Sequence, residues 1–486
     1  MISQEQIKVY NSLSGKIENF IPIKVGEVKI YACGVTVYDE LHLGHARQAI
    51  VFDVIRNYFE FLGYNVIYVR NYTDVDDKII KKAEAENKSM GEISSYYIKE
   101  SEQDLKKLKV RPATYEPKVT EHINDIIKYI EILIQKGFAY EKNGEVFFEV
   151  NKFKNYGKLS KRKVEDLLSA EINSNKRNPE DFSLWKPAKQ GEPKWKSPWR
   201  EGRPGWHIEC SVMANKYLGP SIDIHGGGLD LIFPHHENEI AQSEAYSDCV
   251  FAHYWVHNGL IMVDGKKMSK SLGNFITIKD ILKNYHPDIV RFAVLFYSYN
   301  SAVDFSDALL SNASKRVYYF YKTLNSISSL VEKNKHSNWD GELPDFIGGM
   351  VQNFQDEMDN NFNTAKVIAS LSNIFSFINN FIIDKNVDEK EKVFVLSSFL
   401  SKFKVISEVL KIFDENPNDF VKSFKLEFIK KEGITSKIIN VKIKERELAK
   451  KRLDYIAADK IRDDLFQRKI SVQDFENTTS WDIILD

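Results

Sequence analysis

The sequence has little cysteine for its length. Three cysteines, Cys33, Cys210 and Cys249, occur in 486 residues, which is too few for a framework of disulfides. No uninterrupted apolar run approaches the roughly 18 residues that a membrane span needs, and the amino terminus lacks the apolar stretch of a signal peptide. These absences argue against a disulfide-stabilised secreted protein and against an integral membrane protein. We therefore expect a cytoplasmic protein that has no membrane partner.

The sequence also lacks an excess of charge of one sign. Its formal net charge is -1, from 68 Lys and Arg against 69 Asp and Glu. A nucleic acid would therefore be bound by local basic surfaces and not by a global positive field. Residues 437–470 offer one such surface, with eleven Lys and Arg against six Asp and Glu. Basic helices are more often only solvated, so charge alone leaves this interpretation open.

The first third of the chain has the pattern of an α/β fold. Residues 28–33 and 66–70 are apolar and β-prone, and the apolar positions of residues 46–62 follow a helical period. Strand, helix and strand in this order predict a βαβ unit, the start of a Rossmann-type, doubly wound parallel sheet. The β-prone residues 221–233 are expected to continue that sheet after an insertion rich in Lys, Pro and Trp.

The rest of the chain changes in character twice. Few Gly or Pro interrupt the long amphipathic pattern that follows the sheet, which predicts an α-helical bundle, and the last portion is smaller and mixed. The expected segments are 1–110 for the first half of the sheet, 111–200 for the insertion, 201–260 for the second half, 261–305 for a lysine-rich loop and the region after it, 306–412 for the bundle and 413–486 for the terminal domain.

Two polar motifs are of the kind that phosphate chemistry uses. His42 and His45 lie where the first strand should pass into a helix, with Gly44 between them. A helix amino terminus favours a bound phosphate, and imidazoles there can stabilise developing negative charge. Lys267 and Lys270 lie in a polar loop, and ammonium groups can stabilise a departing pyrophosphate. Each motif alone is more often structural, as a buried histidine pair or an exposed loop.

The spacing of His235 and Glu239 predicts half of a metal site. The two residues are four apart after Pro234, so they share one face of a helix and offer a nitrogen and an oxygen ligand. Two thiolates would complete a tetrahedral zinc site. Cysteines far apart in sequence are usually unrelated buried residues, so the residues alone leave the cysteine pair open.

Taken together, the motifs resemble those of a known enzyme family. HLGH and KMSKS, in this order on an interrupted sheet, resemble the two signatures of class I aminoacyl-tRNA synthetases. The wider set, CGVTVYD, NYTDVDDKI, WHIECS, GGGLDLIFPHHENEIAQS and KMSKSLGN, resembles the cysteinyl-tRNA synthetase family from about Tyr31 to Asn274. The likeness continues more weakly to the segment ENTTSW. Leu43 stands where the first signature usually has isoleucine, a residue of similar size.

The resemblance implies a reaction and its cofactors. L-cysteine would be activated with ATP and Mg²⁺ to an adenylate and then joined to the 3′ ribose of tRNA(Cys). One zinc ion, held by Cys33, Cys210, His235 and Glu239, would select the substrate thiolate by direct coordination. The other implied roles are catalysis for His42, His45, Lys267 and Lys270, ATP binding for Gly44, Gly228, Asp230 and Lys270, substrate binding for Gly34, Thr36, Thr73 and Trp206, and tRNA binding for Lys450, Tyr455, Asp459 and Asp474.

Some of these assignments have alternatives. Trp206 could be a core aromatic instead of a wall of the cysteine pocket. The family has an anticodon-reading arginine where this chain has Lys450, so Arg446 or Arg452 could take that role. A cysteine ligase that acts on a small amine would share the catalytic motifs, but the helical region and basic terminal domain argue against it. An inactive RNA-binding relative would be expected to have damaged motifs. No segment predicts a dimer interface, so we expect a monomer.

Overall fold

The chain forms two units. The computed structural model describes residues 7–163, 173–268, 273–334, 339, 341–474 and 479–485. The first unit comprises Met1–Phe305 with Gln352–Ile368, and the second comprises Ser306–Val351 with Ala369–Asp486.

The first unit contains both parallel and antiparallel sheets. Its strands are β1 (Lys8–Asn11), β2 (Lys16–Asn19), β3 (Glu27–Thr36), β4 (Asn65–Thr73), β5 (Ala139–Lys142), β6 (Glu145–Phe148), β7 (Phe182–Pro187), β8 (Gly202–Pro204), β9 (Ile222–Gly228), β10 (Ala252–Asn258), β11 (Ile261–Val263), β12 (Lys266–Lys267) and β13 (Val303–Asp304). Its helices are α1 (Leu43–Phe61), α2 (Asp77–Glu86), α3 (Met90–Lys107), α4 (Ile123–Gln135), α5 (Trp206–Leu218), α6 (Glu237–Ser247), α7 (Ile278–Asn284) and α8 (Pro287–Leu295).

The central sheet is parallel, in the order β10–β9–β3–β4. This confirms the predicted α/β fold with a doubly wound sheet, and α1 is the crossover between β3 and β4. The prediction of strand up to residue 233 is wrong, because β9 ends at Gly228 and the helical turns Leu229–Leu231 and Ile232–His236 lead into α6. A short apolar run is typical both of a strand and of a partly buried turn, so hydrophobic periodicity could not distinguish the two structures.

An antiparallel sheet, β5–β6–β7–β8, separates the two halves of the parallel sheet in sequence. The segment after β6 is tied to α6 by the fully buried carboxylate of Glu237. That carboxylate accepts hydrogen bonds from the backbone N–H groups of Gly157 at 2.9 Å, Leu159 at 3.2 Å and Ser160 at 2.7 Å. Satisfied in this way, a buried carboxylate fixes the insertion against the helix that carries Glu239.

The second unit is mainly helical. Its elements are α9 (Asp307–Lys333), α10 (Asp345–Gly348), α13 (Glu389–Leu410), α14 (Pro417–Lys431), α15 (Ser436–Lys451), α16 (Tyr455–Gln467), β14 (Ile470–Asp474) and β15 (Thr479–Ile483), while α11 (Met350–Asp359) and α12 (Thr364–Ile383) belong to both units. Stacked aromatic rings join its helices, such as Phe320 with Phe375 at 4.1 Å. The predicted helical bundle and small mixed terminal region are both present.

Of the described helices, α12 alone is long and apolar enough to cross a membrane by length and composition. Its most apolar window has a mean hydropathy of 1.3 and is 39% buried. Leu371 and Phe375 on this helix are buried inside the protein. A core helix passes the same test, so one such helix is weak evidence for a membrane partner.

Candidate active site

The predicted site residues of the first unit gather at one edge of the parallel sheet. β3 and β9 are parallel neighbours, so their carboxyl ends meet at the same edge. Cys33 lies near the end of β3, and His235 and Glu239 follow the end of β9. Cys210 lies on the helix α5. The helix carries its side chain to the same edge.

Four possible metal ligands converge there. The donor atoms of Cys33, Cys210, His235 and Glu239 all lie within 4.8 Å of one another, and all four side chains are buried. The two Sγ atoms are 3.8 Å apart, Cys33 Sγ is 3.2 Å from Glu239 Oε1, and His235 Nε2 is 3.0 Å from the same oxygen. The spacing that predicted one face for His235 and Glu239 therefore does bring the two side chains into contact.

These separations fit a tetrahedral zinc ion. Two thiolates, each about 2.3 Å from a tetrahedral zinc, are about 3.8 Å apart, and a nitrogen and an oxygen ligand are about 3.3 Å apart. The observed distances, 3.8 Å between the sulfurs and 3.0 Å between His235 Nε2 and Glu239 Oε1, are close to these values. Two sulfurs, an imidazole and a carboxylate also form a ligand set that zinc prefers.

Burial and mutual contacts shift the pKa values of all four side chains. A hydrogen bond donated by Cys33 lowers the pKa of the Cys210 thiol to about 6. Burial opposes the charge of Glu239, but His225 and His235 outweigh it and hold the pKa of Glu239 well below its usual range. Burial also opposes protonation of His235, yet Glu239 raises the pKa of His235 to about 10. Burial raises the pKa of Cys33 well above its usual value.

Other histidines support the cluster from outside. His225 Nε2 lies 2.8 Å from Glu239 Oε2, so it holds the carboxylate oxygen that His235 does not touch. His207 Nδ1 lies 2.9 Å from His235 Nδ1, and His236 Nδ1 lies 2.9 Å from His257 Nε2. Such partners orient the ligands of a metal and fix their tautomers. The sequence alone assigned no role to His207, His225 or His236.

Three of the residues predicted to bind the amino acid are linked to this cluster: Trp206 contacts His235, Gly34 follows Cys33, and Thr73 bonds to the neighbour of Cys210. The Trp206 ring is 39% exposed and stacks on His235, with 4.2 Å between ring centroids. It is therefore not a core aromatic. Thr73 is buried at the end of β4, opposite Thr36 of β3, and its hydroxyl donates to Glu209 Oε2 at 3.0 Å. Glu209, which sequence reasoning missed, holds this threonine in place.

Gly34 is packed too tightly for any side chain. A Cβ atom at this position would lie 1.5 Å from the backbone oxygen of Asn71, and the Gly34 N–H already donates to Asn71 Oδ1 at 2.9 Å. The ends of β3 and β4 can approach this closely only because residue 34 is glycine. Asn71 also escaped the sequence analysis, because a single asparagine in a strand carries no signal of its own.

We expect Gly34→Ala to lower the midpoint of thermal unfolding. The added methyl group must push the two strands apart, which should cost about 3 kcal/mol of unfolding free energy. Gly91→Ala is the matched control, since a Cβ there meets nothing within 4 Å on helix α3, and its midpoint should be unchanged or higher. A Gly34→Ala protein that unfolds with the wild-type midpoint would contradict this account.

The HLGH residues form the amino-terminal cap of α1. His42 Nδ1 accepts a hydrogen bond from the Gly44 N–H at 3.0 Å, and the rings of His42 and His45 stack at 3.7 Å. The Leu43 side chain is buried. A cavity is lined by Cys33, Gly34 and His45 together, so the histidine cap lies next to the strand that carries the first cysteine.

The remaining residues predicted to bind ATP or to act on its pyrophosphate lie at two places. Gly228 ends β9 at the same sheet edge. The exposed Asp230 folds back towards it, so a Cβ atom at position 228 would lie 2.4 Å from Asp230 Oδ1. Lys267 is exposed on β12, which pairs with β11. Lys270 lies outside the described residues.

The predicted tRNA-binding residues lie in the second unit. Asp474 forms a two-pronged ion pair with Arg446, with Nη1–Oδ1 at 2.6 Å and Nη2–Oδ2 at 2.9 Å, and Lys450 Nζ is 2.9 Å from Oδ2. The pKa of Asp474 is lowered mainly by its hydrogen bond to Arg446. Asp459 on α16 is exposed and acts electrostatically on Arg446. Tyr455, at the start of α16, is 59% exposed.

Comparisons with known proteins define the class. A family model described as the tRNA synthetases class I (C) catalytic domain matches residues 19–315. The methionyl-tRNA synthetase of Mycobacterium tuberculosis in complex with methionyl-adenylate shares the fold, with a TM-score of 0.62 at 12% identity over 79% of this chain and 92% of that chain. The fold and the matched catalytic domain define a class I aminoacyl-tRNA synthetase.

Curated relatives give the particular family. The chain is 46% identical to the cysteine–tRNA ligase of Thermococcus onnurineus over 98% of both chains. It is 47% identical to that of Persephonella marina over 98% of this chain and 99% of the relative, and 44% identical to that of Geobacter sulfurreducens over the same shares. The chain belongs to the cysteine–tRNA ligase family.

Proposed function

We propose that the chain activates L-cysteine with ATP and Mg²⁺ to cysteinyl-adenylate and then transfers the cysteine to the 3′ ribose of tRNA(Cys). The observation that carries this proposal is the buried ligand set of Cys33, Cys210, His235 and Glu239, with its donor atoms within 4.8 Å of one another. The half-exposed Trp206 ring beside His235 supports a substrate pocket at that point.

The substrate must be distinguished from serine, which differs by one atom. A pocket that reads shape alone separates such close analogues by only about 1–3 kcal/mol. Zinc held by the four ligands would have to take the substrate thiolate as an added ligand, and it has much less affinity for an alcohol. Trp206, Thr73, Thr36 and Gly34 would then enclose the amino acid, and the closely packed backbone at Gly34 would limit its size.

The chain's own residues would assist the first step by placement and charge. The cysteine carboxylate forms a bond to the α-phosphorus of ATP, and the bond from that phosphorus to pyrophosphate breaks. His42 and His45, at the amino end of α1, would donate hydrogen bonds to the α-phosphate as its charge grows. Lys267 and Lys270 would stabilise the departing pyrophosphate. Gly44 would leave room for the phosphates, while Gly228 would lie against the adenosine and Asp230 would accept from its ribose hydroxyls.

The second step joins the two substrates. A hydroxyl of the terminal tRNA ribose attacks the activated carbonyl, an ester forms, and AMP leaves. Lys450, Tyr455, Asp459 and Asp474 would contact the anticodon. Arg446 is already paired with Asp474, so it would act by holding that carboxylate, and the more exposed Lys450 would be the cation that meets RNA. The domain boundaries given above, the monomeric state and the cytoplasmic location belong to the same proposal.

Tyr455→Ala should weaken the charging of tRNA and spare adenylate formation. Stacking of a base on an aromatic ring contributes about 1–3 kcal/mol, so kcat/KM for tRNA should fall by about 5- to 150-fold. Pyrophosphate exchange without tRNA should be unchanged. Tyr96→Ala is a matched control, since Tyr96 is equally exposed at 55% but lies on α3 in the first unit. Equal losses in both variants would argue against an RNA contact at Tyr455.

The whole proposal can be tested with labelled cysteine. The purified protein is incubated with ATP, Mg²⁺, the label and total tRNA, and acid-precipitable label that RNase removes is measured. The proposal predicts such label, and it predicts that excess serine does not compete. If pyrophosphate exchange depends on cysteine but no tRNA becomes charged, the acceptor is a small amine and the tRNA part of the proposal is wrong.

A further inference from the structure

Arg47 is a buried cation two residues after His45. Its side chain is 1% exposed on helix α1. The guanidinium donates hydrogen bonds to backbone carbonyl oxygens of two chain segments that are distant in sequence. These bonds run from Nη1 to Gly259 O at 2.9 Å and Leu260 O at 3.2 Å, and from Nη2 to Ser298 O at 3.1 Å, Tyr299 O at 3.0 Å and Ser301 O at 2.5 Å.

The two segments lead directly into the small sheet that carries Lys267. Residues 259–260 precede β11, and residues 298–301 precede β13. β11 pairs in parallel with β13 and antiparallel with β12, where Met262 is opposite Lys267. The guanidinium therefore holds the first residues of this sheet against the helix that begins with HLGH.

The contact between the two segments is close. Gly259 N–H donates to Tyr299 O at 2.9 Å, and a Cβ at Gly259 would lie 2.0 Å from Ser301 O. Any larger residue at 259 would separate the carbonyl groups that Arg47 joins. Glycine at position 259 therefore lets the two segments lie close enough for one guanidinium to bond to both.

The chemistry of this contact requires an arginine. No carboxylate pairs with Arg47 among the residues that the structure describes, and the charge is instead balanced by carbonyl dipoles. Burial lowers the pKa of Arg47 to about 10, so the group is still protonated at neutral pH. A planar guanidinium with its fixed fork can serve carbonyls of two segments at once, whereas the three donors of a lysine ammonium cannot keep this geometry.

The first signature is also tied to the segment that follows the second. Leu43 N–H donates to Ile276 O at 3.2 Å, and Ile278 N–H donates to Leu41 O at 2.8 Å. The HLGH turn is thus bonded to the chain on both sides of the lysine motif, before it through Arg47 and after it through this backbone pair. The second connection also includes a ring contact between His42 and Phe275, with 5.1 Å between ring centroids.

We propose that Arg47 is a positioning residue for adenylate formation, which sets the distance between the HLGH histidines and the strand of Lys267. It acts through those residues and does not touch substrate. This inference rests on the proposed function, because it takes His45 and Lys267 to act on the same triphosphate. A displacement of about 1 Å between catalytic groups can cost about 100-fold in rate.

The test compares Arg47→Lys with Arg291→Lys. Arg291 is equally buried in the same unit and also bonds to α1, but it pairs there with Asp53, eight residues beyond His45, at 2.9 Å, and with Leu108 O at 2.9 Å. Cysteine-dependent pyrophosphate exchange, KM for cysteine, zinc content and the unfolding midpoint are measured for both. We expect kcat of Arg47→Lys to fall about 100-fold with KM for cysteine and zinc content unchanged. We expect Arg291→Lys to lose a similar amount of stability and keep its kcat.

A second variant tests the contact from the other side. Gly259→Ala should give the same fall in kcat with the same KM for cysteine, and it decides the question if Arg47→Lys does not fold. An Arg47→Lys enzyme with kcat within threefold of wild type would overturn the inference. So would a fall in kcat that Arg291→Lys shares.

The failure of the proposed function has a different signature. If the wild-type protein shows no cysteine-dependent exchange, or if His45→Asn does not slow it, the catalytic roles proposed for the signatures are wrong and this inference falls with them. If His45→Asn slows exchange while Arg47→Lys and Gly259→Ala do not, the proposed function stands and only the positioning role is overturned.

Discussion

Cys210→Ser should remove bound zinc and cysteine-dependent pyrophosphate exchange together. Four possible ligands converge within 4.8 Å, and Cys210 supplies one of them as a thiolate. A serine hydroxyl does not ionise near neutral pH, so the variant loses that anionic ligand. Changes outside the ligands already cost 10–100-fold in metal affinity, so the loss of a ligand should exceed about 100-fold. We expect less than a tenth of the wild-type zinc after dialysis and no measurable exchange with cysteine.

Cys249→Ser is the natural control. Cys249 is exposed and lies outside the cluster, so this variant should keep both zinc and activity. Glu239→Gln tests the same site through a different ligand, because it removes the carboxylate charge that His225 and His235 share. A Cys210→Ser protein that keeps its zinc but is inactive would break the link between metal and substrate. A zinc-free variant that still activates cysteine would also contradict the proposed role of zinc in binding the substrate.

The sequence predicted the fold wherever local pattern and tertiary packing agree. The helical period of residues 46–62 and the apolar strands on either side of it correspond to α1, β3 and β4. The pattern failed at residues 229–233, where the chain leaves the sheet edge in helical turns. Hydrophobicity alone cannot report a change of direction, which depends here on the chain passing from β9 into α6.

The candidate site was predictable in part for a related reason. His235 and Glu239 are neighbours in sequence, so helical spacing was enough to pair them, and their atoms are 3.0 Å apart. Cys33 and Cys210 are 177 residues apart, and their approach depends on the order of strands in the sheet. Only the resemblance to a family identified that pair, since no spacing rule covers contacts of this length.

The supporting contacts could not be predicted at all. Glu209, Asn71 and Arg47 act through hydrogen bonds to residues that are distant in sequence, such as the bond from Thr73 to Glu209 at 3.0 Å. Each is a common residue type in an ordinary element. Their function depends on a partner that only the folded chain brings near, and Arg47 shows that such a partner can be backbone, which carries no sequence signal.

His45→Asn should slow adenylate formation by about 100- to 1,000-fold in kcat, the usual cost of removing one donor to a developing charge. His45 is in the HLGH cap, stacked on His42 at 3.7 Å and next to the cavity that Cys33 lines. The variant should keep its zinc and its KM for cysteine, because His45 is not among the four converging ligands. His253→Asn, an exposed histidine of β10, should behave as wild type in the same exchange assay. If His45→Asn instead lost zinc or cysteine binding at normal kcat, the histidine cap would belong to the amino acid pocket and the phosphate would have to be stabilised elsewhere.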